Sequence, residues 1–227
     1  MRIGIISDLH SNLEALEVVL RRLEAEKVDR IYCLGDIVGY GANPNECTDL
    51  VRKLCHAAVI GNHDDALLGR TSIQYFNPYA RSAIEWTGRV FTDINLEYLK
   101  SLPMTYSDDS FLLVHATPDE PEKWNYILRP DDAEPHYKAM KNGTTAFIGH
   151  SHVALRFDDP VGNRAIINVG SVGQPRDRDP RSSFGIYDTD TGTYIGMREV
   201  YPVQEAAHKI RQANLPEFLA ARLFIGM

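Results

Sequence analysis

Over the first third of the chain, short apolar runs closed by polar residues alternate with stretches at helical spacing. Residues 2–7 (RIGIIS) form such a run, the pattern of a parallel strand buried on both faces. Leu13, Leu16, Val19, Leu20 and Leu23 then recur at helical spacing, with Asn12 placed to cap the helix. Residues 31–35 (IYCLG) predict a second strand, and a helix follows near Pro44, a residue tolerated in a first turn. Residues 57–61 (AAVIG) predict a third strand. This β-α-β-α-β order predicts a parallel sheet with helices on its faces.

Residues 78–102 read as helical, with Ile84, Val90, Ile94 and Leu99 expected to pack inward and Pro103 ending the segment. Residues 111–115 (FLLVH) and 146–150 (AFIGH) read as further buried strands. The stretch 117–136, rich in Pro, Asp and Glu, reads as a long surface loop with some helix. Residues 153–200 read as successive antiparallel strands, and 203–225 as amphipathic helix interrupted at Pro216. No internal repeat or low-complexity linker divides the chain, so the expectation is one α/β domain over residues 1–227.

Composition narrows the classes. With 44% hydrophobic and 24% charged residues, the 227-residue chain has ordinary globular composition. Its net charge of −7 argues against stable nucleic-acid binding over a basic surface. No uncharged apolar run approaches the roughly 18–20 residues of a membrane span, and the apolar stretch before Asp8 is too short for a signal-peptide core. Cys33, Cys47 and Cys55 are odd in number and lack CxxC spacing, which fits reduced thiols in a cytoplasmic protein.

The chemistry gathers where strands end. The first predicted strand ends at Asp8-Leu9-His10, the second at Gly35-Asp36 and the third at Gly61-Asn62-His63-Asp64. Later strands end at His115 and at Gly149-His150-Ser151-His152, so five of the eight histidines fall in these segments. Ligands of open α/β sheets bind at the carboxyl ends of strands. Imidazole, carboxylate and amide groups at one rim suit Zn, Mn, Fe, Co or Ni, and seven candidate ligands suit two ions bridged by one carboxylate. In an extended chain, residues i and i+2 point the same way, so Asp8 with His10, and His150 with His152, are each expected to face one ion. Glycines before Asp36, Asn62 and His150 fit a backbone that turns sharply beneath the ions.

The ordered series DLH, GDIVGYG, GNHD, VH and GHSH, from Asp8 to His152, resembles the calcineurin-like metallophosphoesterase superfamily. Together with NVGS at 168–171 it resembles the small bacterial and archaeal phosphodiesterase branch. The resemblance implies a four-layer α/β/β/α sandwich. It implies that Asp8, His10, Asp36 and His152 hold one divalent ion, and that Asp36, Asn62, His115 and His150 hold the other. It also implies in-line attack at phosphorus by a hydroxide bridging two ions, manganese among the candidates, with His63 protonating the departing alkoxide. Where protein phosphatases of the superfamily carry an acidic residue and an arginine in the second block, this chain has Gly39 and Tyr40, which argues against protein-phosphatase activity. The group that would orient His63 is left open; Asp64 is its neighbour in sequence only.

Outside these blocks, His56, His136 and His208 read as surface or satisfied histidines. In the loop 173–183, Arg176 is the candidate for reaching a substrate phosphate, against an exposed salt-bridged loop. Asn12 either contacts phosphate or only caps its helix, and Tyr40 and Trp124 are candidates to stack on a nucleobase, with ordinary loop packing the favoured reading for Trp124. The expected function is a metal-dependent phosphodiesterase acting on a small phosphate ester or nucleotide. The alternatives are a non-catalytic protein-binding scaffold of the same fold and a dinucleoside-polyphosphate hydrolase. Substrate choice is expected to lie in the loops 65–78, 117–136 and 173–183.

Overall fold

The alternation within the first strand sets the layers. In β1 (Arg2–Ile6), Ile3 and Ile5 face one side while Ile6 faces the other, and all three are fully buried. A computed structural model describing residues 1–227 continues in the order α1 (Leu13–Ala25), β2 (Arg30–Cys33), α2 (Pro44–Leu54), β3 (Ala57–Ala58) and α3 (Asn62–Leu67). Next come α4 (Pro78–Val90), α5 (Asp93–Ser101), β4 (Thr105–Ser107), β5 (Phe111–Val114) and α6 (Pro130–Ala133). The chain then runs through β6 (Thr145–Ile148), β7 (Ala154–Asp158), β8 (Ala165–Val169), β9 (Ser182–Asp188), β10 (Thr193–Glu199), α7 (Val203–Gln212) and α8 (Glu217–Ala221).

Two five-stranded sheets result, in the orders β10-β9-β1-β2-β3 and β4-β5-β6-β8-β7. The runs β1-β2-β3 and β5-β6-β8 are parallel, and each sheet is completed by antiparallel strands. Ile3, Ile5, Tyr32 and Leu34 of the first sheet pack against Phe111, Leu113, Phe147 and Ile167 of the second. On the outer face of the first sheet, Ile6 and Phe184 meet Leu16, Val19 and Leu23 of α1 and Ile210 of α7. The outer face of the second sheet is covered more thinly, by Ala133, Tyr137 and Met140 around α6. Four layers are present, the last of them short.

Several expectations change in detail. Residues 153–200 do not form one antiparallel run: β7 and β8 close the second sheet, whereas β9 and β10 cross to the first. Each hairpin is locally antiparallel, and only the packing of the two sheets separates them. The helical stretch 78–102 is two helices, because Phe91 and Thr92 adopt extended dihedrals. Val90 and Ile94 flank that corner and are 41% and 61% exposed, so only Ile84 and Leu99 pack inward. The third strand is paired over two residues only, and β4, three residues long, went unpredicted. No helix is long and apolar enough to cross a membrane.

Candidate metal centre

The carboxyl ends of β1, β2, β3, β5 and β6 converge on one rim, and the seven expected ligands and His63 are all buried there. Ligand atoms of Asp8, His10, Asp36 and His152 lie within 4.8 Å of one another, as do those of Asp36, His115 and His150. Asp36 belongs to both groups. Its Oδ1 accepts the backbone N–H of His63 at 2.8 Å. Its Oδ2 lies 3.6 Å from His10 Nε2 and 3.4 Å from His115 Nε2.

Hydrogen bonds to backbone carbonyls settle which imidazole nitrogens are free. Nδ1 of His10 donates to Val38 O at 3.0 Å, Nδ1 of His115 to Leu34 O at 2.8 Å, and Nδ1 of His152 to Gln174 O at 2.6 Å. A carbonyl only accepts, so each of these rings, when neutral, carries its proton on Nδ1 and its lone pair on Nε2. His150 is reversed: Nε2 donates to Trp124 O at 2.9 Å, which leaves Nδ1 free. Such outer bonds orient metal-ligating histidines.

The unsatisfied atoms fit a cation. The Nε2 atoms of His10 and His152 face each other at 3.1 Å, each with a lone pair and no proton to share. Asp8 Oδ2 accepts from Ser7 Oγ at 2.7 Å and His150 N at 3.1 Å, while its Oδ1 lies 3.2 Å from His152 Nε2 with no donor. Asn62 Oδ1 and His115 Nε2 are buried without partners as well. Orphaned buried polar atoms of this kind are costly. Burial raises Asp8 to about 6 and drives His10 and His152 well below the ordinary imidazole range. Burial would also lower His115, yet the Asp36 and Asp8 carboxylates outweigh it and hold the imidazole at about 9. A proton held there between two carboxylates marks a place where positive charge is favoured, and a divalent ion fits that demand.

The backbone reaches this arrangement by a route other than the expected one. Asp8, His10, Asp36, His150 and His152 all have φ between +47° and +65°, so the paired ligands sit in left-handed turns beyond the strand ends, not on extended chain. For residues with a Cβ, this conformation costs roughly 1–2 kcal/mol each. Bonds around the turns hold it. Asn168 donates to Gly149 O at 2.5 Å and to Ser151 Oγ at 2.9 Å, and Ser171 Oγ donates to Asp8 O at 2.8 Å. The NVGS segment thus braces both ligand pairs from beneath. Gly35 has φ +91° and no room for a Cβ against the Gly61 backbone.

Around His63, the ring packs against His10 (centroids 4.8 Å), Tyr40 (4.6 Å) and Phe76 (4.8 Å). Asp64 does not touch it through its carboxylate: Asp64 Oδ1 accepts from Val38 N and Oδ2 from Gly61 N, each at 3.1 Å. His63 Nδ1 is buried with no hydrogen-bond partner, against Gly39. Aromatic packing, not a carboxylate, therefore sets the ring.

Of the two candidate phosphate contacts, Asn12 is committed elsewhere. Its Oδ1 accepts from Ala15 N at 3.2 Å and its Nδ2 donates to Gly173 O at 2.8 Å, so it caps α1 and ties down the 173–183 loop. Arg176 is half-buried, its guanidinium 2.9 Å from Gln174 Oε1 and 3.3 Å from the Tyr40 hydroxyl. Beside it lies Arg222, which sequence reasoning missed and which also approaches the Tyr40 ring, at 5.8 Å. A cavity of about 400 Å³ opens from Asn62, His63 and His150, with Tyr75 and Tyr126 among its lining. Neither tyrosine was singled out in the sequence, because an aromatic residue in a polar loop carries no signal of what it faces.

A model of the calcineurin-like phosphoesterase superfamily domain matches residues 1–192. The chain belongs to that superfamily. The phosphoesterase is 42% identical to a metallophosphoesterase of Sphaerobacter thermophilus, whose crystal structure superposes with a TM-score of 0.89 over 100% of this chain and 99% of that one. It is 40% identical to an uncharacterized protein of Methanocaldococcus jannaschii, over 99% of this chain and 98% of the relative. A weaker likeness, 29% identity over 49% of this chain, links it to a symmetrical bis(5'-nucleosyl)-tetraphosphatase of Haemophilus influenzae, and that match covers only 42% of the relative. Members of the family normally bind divalent metals, and this phosphoesterase has a buried Asp/His cluster able to do so.

Proposed function

We propose that this phosphoesterase is a two-metal phosphodiesterase acting on a small or nucleotide-like ester. The observation that carries the reading is the convergence of buried, unpartnered candidate ligand atoms on both sides of Asp36. Asp8, His10, Asp36 and His152 would hold one ion, and Asp36, Asn62, His115 and His150 the other. Bound divalent ions neutralise phosphate charge and lower the pKa of a coordinated water; manganese is our first candidate, with Fe, Zn, Ni and Co to be compared.

The chain's own residues supply the rest. Left-handed turns braced by Asn168 and Ser171 keep the ligands in place without reorganisation. Burial pushes His63 down to about 4, opposed by Asp36, so in the free protein the ring is neutral at pH 7. An anionic ester beside it favours the protonated ring. With Nδ1 buried against Gly39, the proton for the departing alkoxide leaves from Nε2. Arg176, whose guanidinium lies beside the Tyr40 hydroxyl, would neutralise a phosphate oxygen on that side. The free Cys33, Cys47 and Cys55 support a cytoplasmic location.

The test is hydrolysis of a panel of phosphate mono- and diesters with each metal, alongside the metal content of protein purified without chelator. Diester turnover requiring a divalent ion is expected. Full activity of His63→Ala on a diester with a poor leaving group would overturn the proton-donor role, while loss confined to poor leaving groups supports it.

A further inference from the structure

The cavity beside the metal centre has a lining unlike that of a polyphosphate channel. Its only Lys or Arg is Lys123, whose ammonium is already 2.6 Å from Glu120 Oε1. The remaining walls are largely aromatic and come from two segments outside the sheets. Tyr75 ends a short 3₁₀ turn (Ile73–Tyr75) and is 91% exposed. Tyr126 lies flat on the ring of His150, with centroids 4.1 Å apart and planes at 14°, and is still 52% exposed. Trp124 ties the two segments together: its indole N–H donates to Thr71 Oγ1 at 3.0 Å, and its carbonyl holds His150. Single exposed aromatics need no explanation. Two on one cavity, one of them stacked on a ligand-bearing imidazole, form a platform reached directly from the position of the phosphate.

We propose that this cavity binds the base of a nucleoside phosphate ester, with Tyr75 and Tyr126 as the stacking surfaces and the phosphate at Asn62, His63 and His150. The proposal rests on the phosphodiesterase reading for the location of the phosphate. Aromatic faces stack on any base, and a neutral lining adds no attraction for further phosphates. The subsite is therefore specific for the ring and tolerant of its identity. The volume lies within the range of ordinary small-molecule sites.

Two substrates that differ only by the base test this: the methyl phosphodiester of adenosine 5'-phosphate and that of ribose 5-phosphate, followed by methanol release. The wild-type protein is expected to favour the adenosine ester in kcat/KM by about 5- to 150-fold, the worth of one base–aromatic stack. In Tyr75→Ala/Tyr126→Ala the ratio is expected to fall towards unity, mainly through KM. Equal use of both esters by the wild type, or an unchanged ratio in the double variant, overturns the proposal. If neither ester is hydrolysed with any metal, the phosphodiesterase reading fails, and calorimetry of the same protein with adenosine 5'-phosphate and ribose 5-phosphate still decides the subsite. Tighter binding of the nucleotide, lost in the double variant, supports it; equal binding refutes it.

Discussion

The floor and the outer wall of the site are built by opposite means. The floor consists of strand-end turns that bury the seven candidate ligands and hold five of them in left-handed conformations. Each candidate ligand imidazole there is fixed by a carbonyl, and the turns at Asp8 and Gly149–Ser151 by a further side chain. The wall, from residues 71–77 and 120–126, is two short 3₁₀ turns joined by one indole–hydroxyl bond, with tyrosines facing outward. A floor that must present lone pairs to a cation cannot relax, because every misplaced acceptor is a buried, unsatisfied group. A wall that offers only ring faces can vary without that penalty. On the proposed reading, chemistry belongs to the first region and substrate choice to the second.

Breaking the floor should have the largest effects. Asp36→Asn removes the carboxylate shared by both ligand groups. It should lower turnover by more than the roughly 10–100-fold that altering a ligand's supporting partner costs, with fewer metals per chain by elemental analysis. Asn168→Ala touches no ligand but frees the Gly149–Ser151 turn; metal affinity by titration should fall about 10–100-fold. Gly35→Ala should cost at least about 1–2 kcal/mol in urea unfolding, from the left-handed backbone alone. A smaller loss would mean that the turns are softer than described.

Changes at the periphery should be milder. Trp124→Phe loses the indole–Thr71 bond yet keeps the carbonyl on His150. It should cost about 0.5–1.5 kcal/mol of stability by thermal melting while metal content is retained. The smallest effect is expected at the surface pair of Asp179 and Arg181. The Arg181 guanidinium holds the Asp179 carboxyl at about 2, below its ordinary 3.8. A depressed folded-state value means that the pair's contribution is complete above about pH 4 and is lost as pH falls through about 2. With the two side chains 29% and 50% exposed, it should stay below about 1 kcal/mol, read as the acid-limb difference between wild type and Asp179→Asn.

Much of this was readable in order along the chain. The ligand blocks and the strands before them are local signals, since a strand buried on both faces must be apolar and must end where its polar cargo begins. The cap by Asn12 was equally legible. The spacing of Asp8 and His10 suggested that their side chains meet, and they do lie together, but in left-handed turns and not on extended chain, because residue spacing does not report the sign of φ. Val90 and Ile94 were misjudged for a similar reason: helical spacing persists across the corner at Phe91, while the face it selects does not.

Residue types and their order determined that a rim of carboxylate, amide and imidazole groups would exist at the ends of parallel strands. Tertiary structure alone decided that β9 and β10 join the first sheet, that His63 is oriented by Tyr40 and Phe76, and that Asn168 and Ser171 brace the turns. It also decided that Tyr75 and Tyr126 share one cavity. Each of these depends on pairs of groups far apart in the chain, whose meeting is set by how two sheets pack and not by any pattern within a single segment.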